Sequence, residues 1–331
     1  MTDLKDMPQR VGVLSEIPAL LTELGLDPAQ VLADCDLPPD ALADMDGSIP
    51  FLSAIRLLEI SSQRTNRKDF GLLLGLRGST SQLGLTGLLM QNAPTLDQAI
   101  RDIIGHHPRY VRGGTPYIID REEDVIIGYR SYIGGPKSWL IGMAVVGFGY
   151  RVFTDVSRTI PTEITFACRP LDQSAIANFP GSRVTFEARQ FALRYRRKDL
   201  ATPIQGASDA TRRAVLGMVE QYDKYLKPDL IDSAKRAIVM LLFRGDLDVD
   251  RLAHELRVNR RTLGRHLAAA GTTPWQLINQ VRFEIALQLI TATRLSLSDV
   301  SETLGFAELS SFTRWFRAEA GKSPSAYRSV S

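Results

Sequence analysis

Two pairs of arginines have the residue type and spacing for recognition chemistry. In NRRTLGRHL, Arg261 and Arg265 stand four residues apart, and in SFTRWFR, Arg314 and Arg317 stand three apart. On a helix either spacing puts both side chains on one face. A guanidinium is a planar fork of N–H donors that matches two acceptors at once, whether carboxylate, phosphate or the O6 and N7 edge of guanine. From Arg251 to Arg265 there are five arginines against one acid, Glu255, a run that a solvated helix surface would explain on charge alone. The formal net charge of +3 and the pI near 8.9 are only mildly basic. The positions of these arginines on their elements therefore have to decide between the readings.

Catalytic chemistry finds no comparable footing. His106, His107 and Arg109 form the one compact ionisable group that invites it, but adjacent helical histidines point about 100° apart and no third ligand has metal-site spacing. The cluster is expected to close a helix at its negative end. No G-x-S-x-G elbow is present, Gly78-Ser79 lacks the lysine of a phosphate loop, and no G-x-G-x-x-G follows a strand. Cys35 and Cys168 lie far apart in sequence and are expected as small buried apolar side chains. No enzyme activity, cofactor or metal is expected. The first residues, MTDLKDMPQR, lack the basic leader and apolar core of a secretory signal, and no uninterrupted apolar run approaches the roughly 20 residues of a membrane helix. A cytoplasmic protein without a membrane partner is the expectation.

The chain of 331 residues, 44% apolar and 23% charged, is long enough for two folded domains. Its first 80 residues read as short helices broken by Pro and Gly, with Asp27-Pro28 as an N-cap and first-turn proline and Gly25 as a stop. A helix starting at Thr95 follows. The segments around YVRGGTPYIIDR and DVIIGYRSYIG are expected to pair as a hairpin through the REED turn. KSWLIGMAVVGFGYRVF reads as a helix, and TEITFACR, a short helix DQSAIANF and VTFEARQFALRY complete an α+β domain over residues 1–203. Strand signals end there. Residues 204–228 read as a helical connector and 229–331 as an all-α domain.

Within that helical part the chain resembles itself at an offset of 48 to 50 residues. Leu252 and Leu256 match Val300 and Leu304; Leu263, Arg265 and Leu267 match Phe312, Arg314 and Phe316; Gly271-x-x-Pro274 matches Gly321-x-x-Pro324. Such a period marks a duplicated supersecondary unit. In each copy an apolar helix, a tight turn and a second helix, apolar inside and basic outside, form a helix-turn-helix. Asn259 is placed to cap the second helix of the first copy, and Gly305-Phe306 makes the turn of the second. Between the copies, TPWQLINQVRFEIALQLITAT gives about 30 Å of helix, close to the rise of one DNA turn. Two recognition helices held at that distance suit successive major grooves. A protein-binding hairpin repeat is the alternative.

The region from Ser233 to Tyr327 resembles the DNA-binding domain of the AraC/XylS transcriptional regulators. The residues that carry the likeness are Ala253 to Leu256, Arg282 to Ala286, Gly305-Phe306 through Ser311, Phe312, Arg314, Phe316 and Arg317, and Gly321-Lys322-Ser323-Pro324 through Tyr327-Arg328. Carried over by position, the resemblance implies base or phosphate contacts from Arg261 and Arg265 in the first recognition helix and from Leu309, Ser310 and Arg314 in the second. Arg260, Thr313 and Arg317 complete the expected DNA-contacting set. Leu309 departs from a place often held by a polar base reader, which suits a thymine methyl or a helix that mainly grips the backbone. Arg282 is expected to form a structural ion pair with an acid such as Asp299.

Residues 18 to 200 resemble the arabinose-binding-type sensor domain of one branch of that family, on FGLLLGLRGSTSQLGLTGLLMQNAPTLDQAIRDI, TEITFACR and VTFEARQFAL. This resemblance implies a small organic effector and a homodimer, without fixing arabinose as ligand. The alternative is a ligand-free domain that only dimerises or contacts RNA polymerase. Tyr129, Tyr132 and Trp139 are the candidate ligand contacts, with Tyr150 in the same region. The basic run Arg194, Arg196, Arg197, Lys198 is a candidate for an anion, for the neighbouring domain, or for solvent alone.

Overall fold

The computed structural model describes residues 8–106, 113–131, 139–171, 173–223 and 230–328. At the start, β1 (Pro8–Arg10) pairs antiparallel with β2 (Ser48–Pro50), and α1 (Ile17–Glu23) and α2 (Pro28–Asp34) fill the intervening chain. Asp27 caps α2 by accepting from the Ala29 N–H at 3.0 Å, with Pro28 in the first turn, and Gly25 ends the preceding helix at φ +81°. Four helices follow: α3 (Phe51–Arg64), α4 (Phe70–Gly75), α5 (Leu85–Gln91) and α6 (Leu96–His106).

β3 (Gly114–Asp120) and β4 (Asp124–Ser131) form the expected antiparallel hairpin across the acidic turn. Beyond α7 (Trp139–Ser157) come β5 (Glu163–Thr165), α8 (Gln173–Ile176), β6 (Arg183–Thr185), β7 (Phe191–Arg196) and α9 (Arg197–Leu200). The segment VTFEARQFALRY is thus two strands: β6 pairs parallel with β5, and β7 runs antiparallel between β4 and β5. The five-stranded sheet has the order β3-β4-β7-β5-β6.

α7 is the central helix of this half. An 18-residue window of it has a mean hydropathy of 1.2, enough by length and composition to cross a membrane, yet most of that window is buried within the protein. α4 backs directly onto it. A Cβ on Gly71 would lie 2.2 Å from the Leu140 carbonyl oxygen, and one on Gly75 2.1 Å from that of Ala144. Two glycines one turn apart let the helix backbones touch, which is what the FGLLLG stretch is for.

Everything after α9 is helical: α10 (Asp209–Asp223), α11 (Leu230–Arg244), α12 (Val249–Glu255), α13 (Arg260–Ala269), α14 (Pro274–Ala292), α15 (Leu297–Thr303), α16 (Leu309–Ala320) and α17 (Pro324–Arg328). An α+β N-terminal half precedes an all-α half with two helix-turn-helix units joined by a long helix. α10 lies on α5, where Val215 and Val219 bury Leu89. Arg212 clamps the same contact with hydrogen bonds of 2.6 and 3.0 Å to the nearly buried Asp102 carboxylate and one of 3.1 Å to the Leu89 carbonyl.

The sheet divides the molecule by parity, because neighbouring strand residues face opposite sides. Pro116, Ile127, Tyr129 and Leu193 face α7 across a cavity. Tyr117 and Arg130 face the helical half: the Tyr117 ring stacks on Phe243 of α11 at 5.4 Å, and Arg130 donates to the Gln288 side-chain oxygen in α14. Gly128 sits opposite Tyr117, where any Cβ would fall 2.2 Å from the ring. One continuous buried core therefore extends from Val11 to Phe316 across both halves.

Candidate nucleic-acid interface and ligand cavity

Both helix-turn-helix units are built from the same local devices. Asp248 caps α12 by accepting from the Arg251 N–H at 2.8 Å, and Ser296, at the equivalent place, caps α15 by accepting from Asp299 N–H at 3.0 Å. In the turns, Arg257 (φ +53°) and Gly305 (φ +74°) hold equivalent left-handed positions. Asn259 accepts from the Thr262 N–H at 2.8 Å to cap α13, whereas Glu308 at the start of α16 makes no side-chain cap bond. Gly271 and Gly321 end the two recognition helices at positive φ, and the hydroxyl two residues later starts the next helix: Thr273 accepts from Gln276 N–H and Ser323 from Ala326 N–H, both at 3.2 Å. The repeated Gly-x-Thr/Ser-Pro string is thus a stop, a cap and a first-turn proline in succession.

An apolar stripe sets which face of each second helix is buried. Leu263 and Leu267 of α13 pack fully inside, and Arg260, Arg261 and Arg265 are exposed. Arg260 pairs with Asp250 at 3.2 Å. In α16, Phe312 and Phe316 are fully buried within an aromatic cluster with Phe283, Phe306, Trp315 and Tyr327, centroids 5.1 to 6.4 Å apart. Ser310, Arg314 and Arg317 are exposed, Leu309 is 42% exposed and Thr313 is half-buried. Among the described residues, Arg261, Arg265, Arg314 and Arg317 make no ion pair. α14 spans 19 residues, about 28 Å of rise.

Arg282 behaves differently from expectation. Its guanidinium lies 5.3 Å from the Phe306 ring centroid, and burial lowers its pKa. Asp299 instead takes Arg189 of the sheet half, at 3.6 Å, beside Glu302 at 2.7 Å. The Ser296 hydroxyl, bonded to the Asp299 carboxylate at 2.6 Å, is the first cause that lowers that carboxyl's pKa. The acid is thus committed to its own helix cap and to the other half of the molecule.

A third polar contact joins the halves inside. Arg130 is 4% exposed, and burial lowers its pKa to about 10. It shares this region with Lys235, Gln288 and Glu284, whose carboxyl burial raises to about 7 against the opposing pull of Lys235 and Arg130. At the surface, Glu187 accepts from the Arg294 N–H.

The ligand candidates separate. Tyr129 lies on the wall of the cavity between the sheet and α7, a space of about 170 Å³. Trp139 begins α7 and packs on the core, outside that lining; Tyr150 meets Phe179 edge-on at 4.8 Å. Tyr132 lies outside the described residues, as do His107 and Arg109. In the basic run, Arg194 meets Asp124 and Glu163, Arg196 meets Asp199 and Arg197 meets Asp120. Those acids supply its partners within the sheet half. Sequence reasoning missed Arg10, Gln82, Val145 and Phe148 of the cavity, which come from separate segments and carry no shared local signal. It also missed Trp275, 59% exposed in the first turn of α14 beside the recurrent proline. Among the described residues no cluster of three His, Cys, Asp or Glu is placed to hold a metal.

Residues 25–204 match the family model described as the arabinose-binding domain of AraC transcription regulator, N-terminal, and residues 252–329 match a helix-turn-helix domain. The chain is 28% identical to the ornithine utilization regulator of Pseudomonas aeruginosa over 93% of each chain, and 27% identical to the transcriptional regulator VirS of Mycobacterium tuberculosis, again over 93% of each. It is 30% identical to the transcriptional activator NphR of a Rhodococcus species over 48% of this chain and 41% of that one. Among solved structures, the transcriptional regulator CdpR of Pseudomonas aeruginosa aligns over 91% of this chain and 96% of its own, at 23% identity and a TM-score of 0.43.

Proposed function

This chain belongs to the AraC family of DNA-binding transcriptional regulators, and from that premise we propose that it binds specific operators with two recognition helices per subunit under control of a small organic effector. The observation that carries the reading is the duplicated arrangement of an apolar inner stripe and an exposed basic outer face on α13 and α16. Arg261 and Arg265 enter one major groove, with Arg260 at its edge. Leu309, Ser310, Thr313, Arg314 and Arg317 face the next. Exposed guanidiniums donate in pairs to guanine or singly to phosphate, and Leu309 offers an apolar surface to a thymine methyl.

The division we propose is a sensor and dimerisation domain at residues 1–203, a connector at 204–228 and a DNA-binding domain at 229–331. The effector occupies the cavity on one side of the sheet, and the DNA-binding half docks on the other. Ile127 and Tyr129 line the cavity while Arg130, on the same strand, reaches α14. A ligand that favours one arrangement of this sheet shifts how the DNA-binding half is held, by no more than its difference in affinity for the two arrangements. The subunits pair as a homodimer in the cytoplasm, and the family's relatives being regulators supports a protein with no catalytic step.

Selection of binding sites from genomic DNA by the full chain, followed by hydroxyl-radical footprinting, tests the DNA reading. Two protected grooves about one helical turn apart per subunit are expected. Protection of a single groove would overturn the paired-helix geometry. Light scattering at micromolar concentration, with and without operator, tests pairing; a monomer under both conditions would remove it.

A further inference from the structure

We infer that the cavity between the sheet and α7 takes an uncharged, mostly apolar molecule about the size of one substituted ring. This rests on the effector reading above and adds the chemical class. Three observations carry it.

The first is the wall. Most of the wall is apolar, with Ile103 and Ile104 of α6, Ile127 of β4 and Val145 and Phe148 of α7 among its residues, and among the described residues no Asp, Glu, Lys or His lines it. A charged group taken from water into such a wall has no opposite charge to meet, and each hydroxyl of a sugar would need its own partner.

The second is the one polar end, formed by Gln9, Arg10, Gln82 and Thr86. Its cation is already neutralised. Arg10 meets the Asp46 carboxylate at 2.5 Å and donates to the Gln82 carbonyl. The Gln82 side chain in turn donates to Glu16 at 3.2 Å and accepts from the Ser79 N–H at 3.0 Å. A hydroxyl or carbonyl can be oriented by such an end, whereas an anion would have to compete with Asp46.

The third is size. An apolar cavity of about 150 Å³ stays dry and admits benzene, so the space of about 170 Å³ here fits one ring carrying a small substituent. A molecule of two fused rings with side chains would not enter without opening the wall.

Calorimetry on the full chain tests the inference with four probes: benzyl alcohol, benzoate, L-lysine and D-glucose. The first two share a ring and differ in charge. Benzyl alcohol is expected to bind with one site per chain and benzoate at least tenfold more weakly, with no saturable heat from lysine or glucose. Filling the cavity with Val145→Phe is expected to remove the benzyl alcohol signal. Methyl NMR of the wild-type chain is a second readout that does not depend on the variant folding: shifts confined to Ile103, Ile104 and Ile127 support the site, and shifts elsewhere overturn it. Benzoate, lysine or glucose binding more tightly than benzyl alcohol, with shifts at those isoleucines, would overturn the class while leaving an effector cavity in place. No binding of any probe, with those methyls unmoved, would remove the cavity as a ligand site and the effector reading with it.

Discussion

Arg265 and Arg317 differ in what their loss should do, although both are exposed arginines on recognition helices. Arg265 shares its face with Arg261 in the helix whose cap is complete, so it is assigned to base edges. Arg265→Ala should cost roughly 1 to 3 kcal/mol at the base pair it reads and leave other sequences less affected. Arg317 lies in the last turn of α16 and suits phosphate, so Arg317→Ala should weaken all sequences alike and lower the salt slope by about one. Anisotropy titrations on operator and scrambled duplexes at several salt concentrations separate the two outcomes. A second residue-scale contrast sits in the turns. Both Arg257 and Gly305 have positive φ, a region that costs a residue with a Cβ about 1 kcal/mol. A Cβ on Gly305 would come no closer than 3.6 Å to a neighbour, so backbone conformation alone sets the effect. Thermal melts should show Gly305→Ala destabilised by about 1 kcal/mol and Arg257→Gly stabilised by a similar or smaller amount.

Between helices, capping distinguishes the two units. α13 has Asn259 bonded to Thr262 N–H, whereas α16 begins at Glu308 without a side-chain cap bond. Asn259→Ala should cost about 1 kcal/mol of stability and fray the first turn, which carries Arg260 and Arg261. Glu308→Asp or Glu308→Ser should tighten α16 by up to about 1 kcal/mol. Circular dichroism melts with matched DNA titrations measure both; a loss on replacing Glu308 would mean that its carboxylate already serves the helix end. α7 makes a related point about composition. A helix apolar on nearly all sides is equally a membrane span or the centre of a core, and contact with α4 and the sheet is what places this one.

For the whole molecule, the half-buried Glu284 carboxyl near Arg130 and Lys235 gives stability a dependence on pH. Burial raises the Glu284 carboxyl from its ordinary 4.5 to about 7, so between those values the folded chain binds a proton that the unfolded chain has released. Stability from this group is therefore present below about pH 4.5 and lost as pH rises through 7. Glu284→Gln should flatten that part of the profile, so that the fall in melting temperature from pH 5 to pH 8 is smaller in the variant than in the wild type. An equal fall in both would show that the carboxyl titrates normally. Arg130 donates to Gln288 across the same contact while buried. Arg130→Met should change stability little, since a well-packed apolar side chain replaces a desolvated charge, while hydrogen exchange in α14 speeds up as the halves loosen.

The sequence by itself determined most of the helical half, including the two helix-turn-helix units, the long helix between them and the exposed arginine faces. Helices, caps and turns are set by residues within four positions of one another, so Asn259, Gly271, Thr273, Gly321 and Ser323 state their roles locally, and the duplication at 48 to 50 residues repeats the statement. The hairpin of β3 and β4 was legible for the same reason. Tertiary structure alone decided that β7 inserts between β4 and β5, that Tyr129 reaches a cavity while Trp139 does not, and that Asp299 pairs with Arg189 instead of Arg282. Those facts join residues from about thirty to more than a hundred positions apart, or depend on which face of a strand a register exposes. Strand pairing is non-local, and shifting it by one residue exchanges the two faces, so the side of the sheet that holds the cavity and the side that holds the DNA-binding half were fixed only when the chain closed on itself.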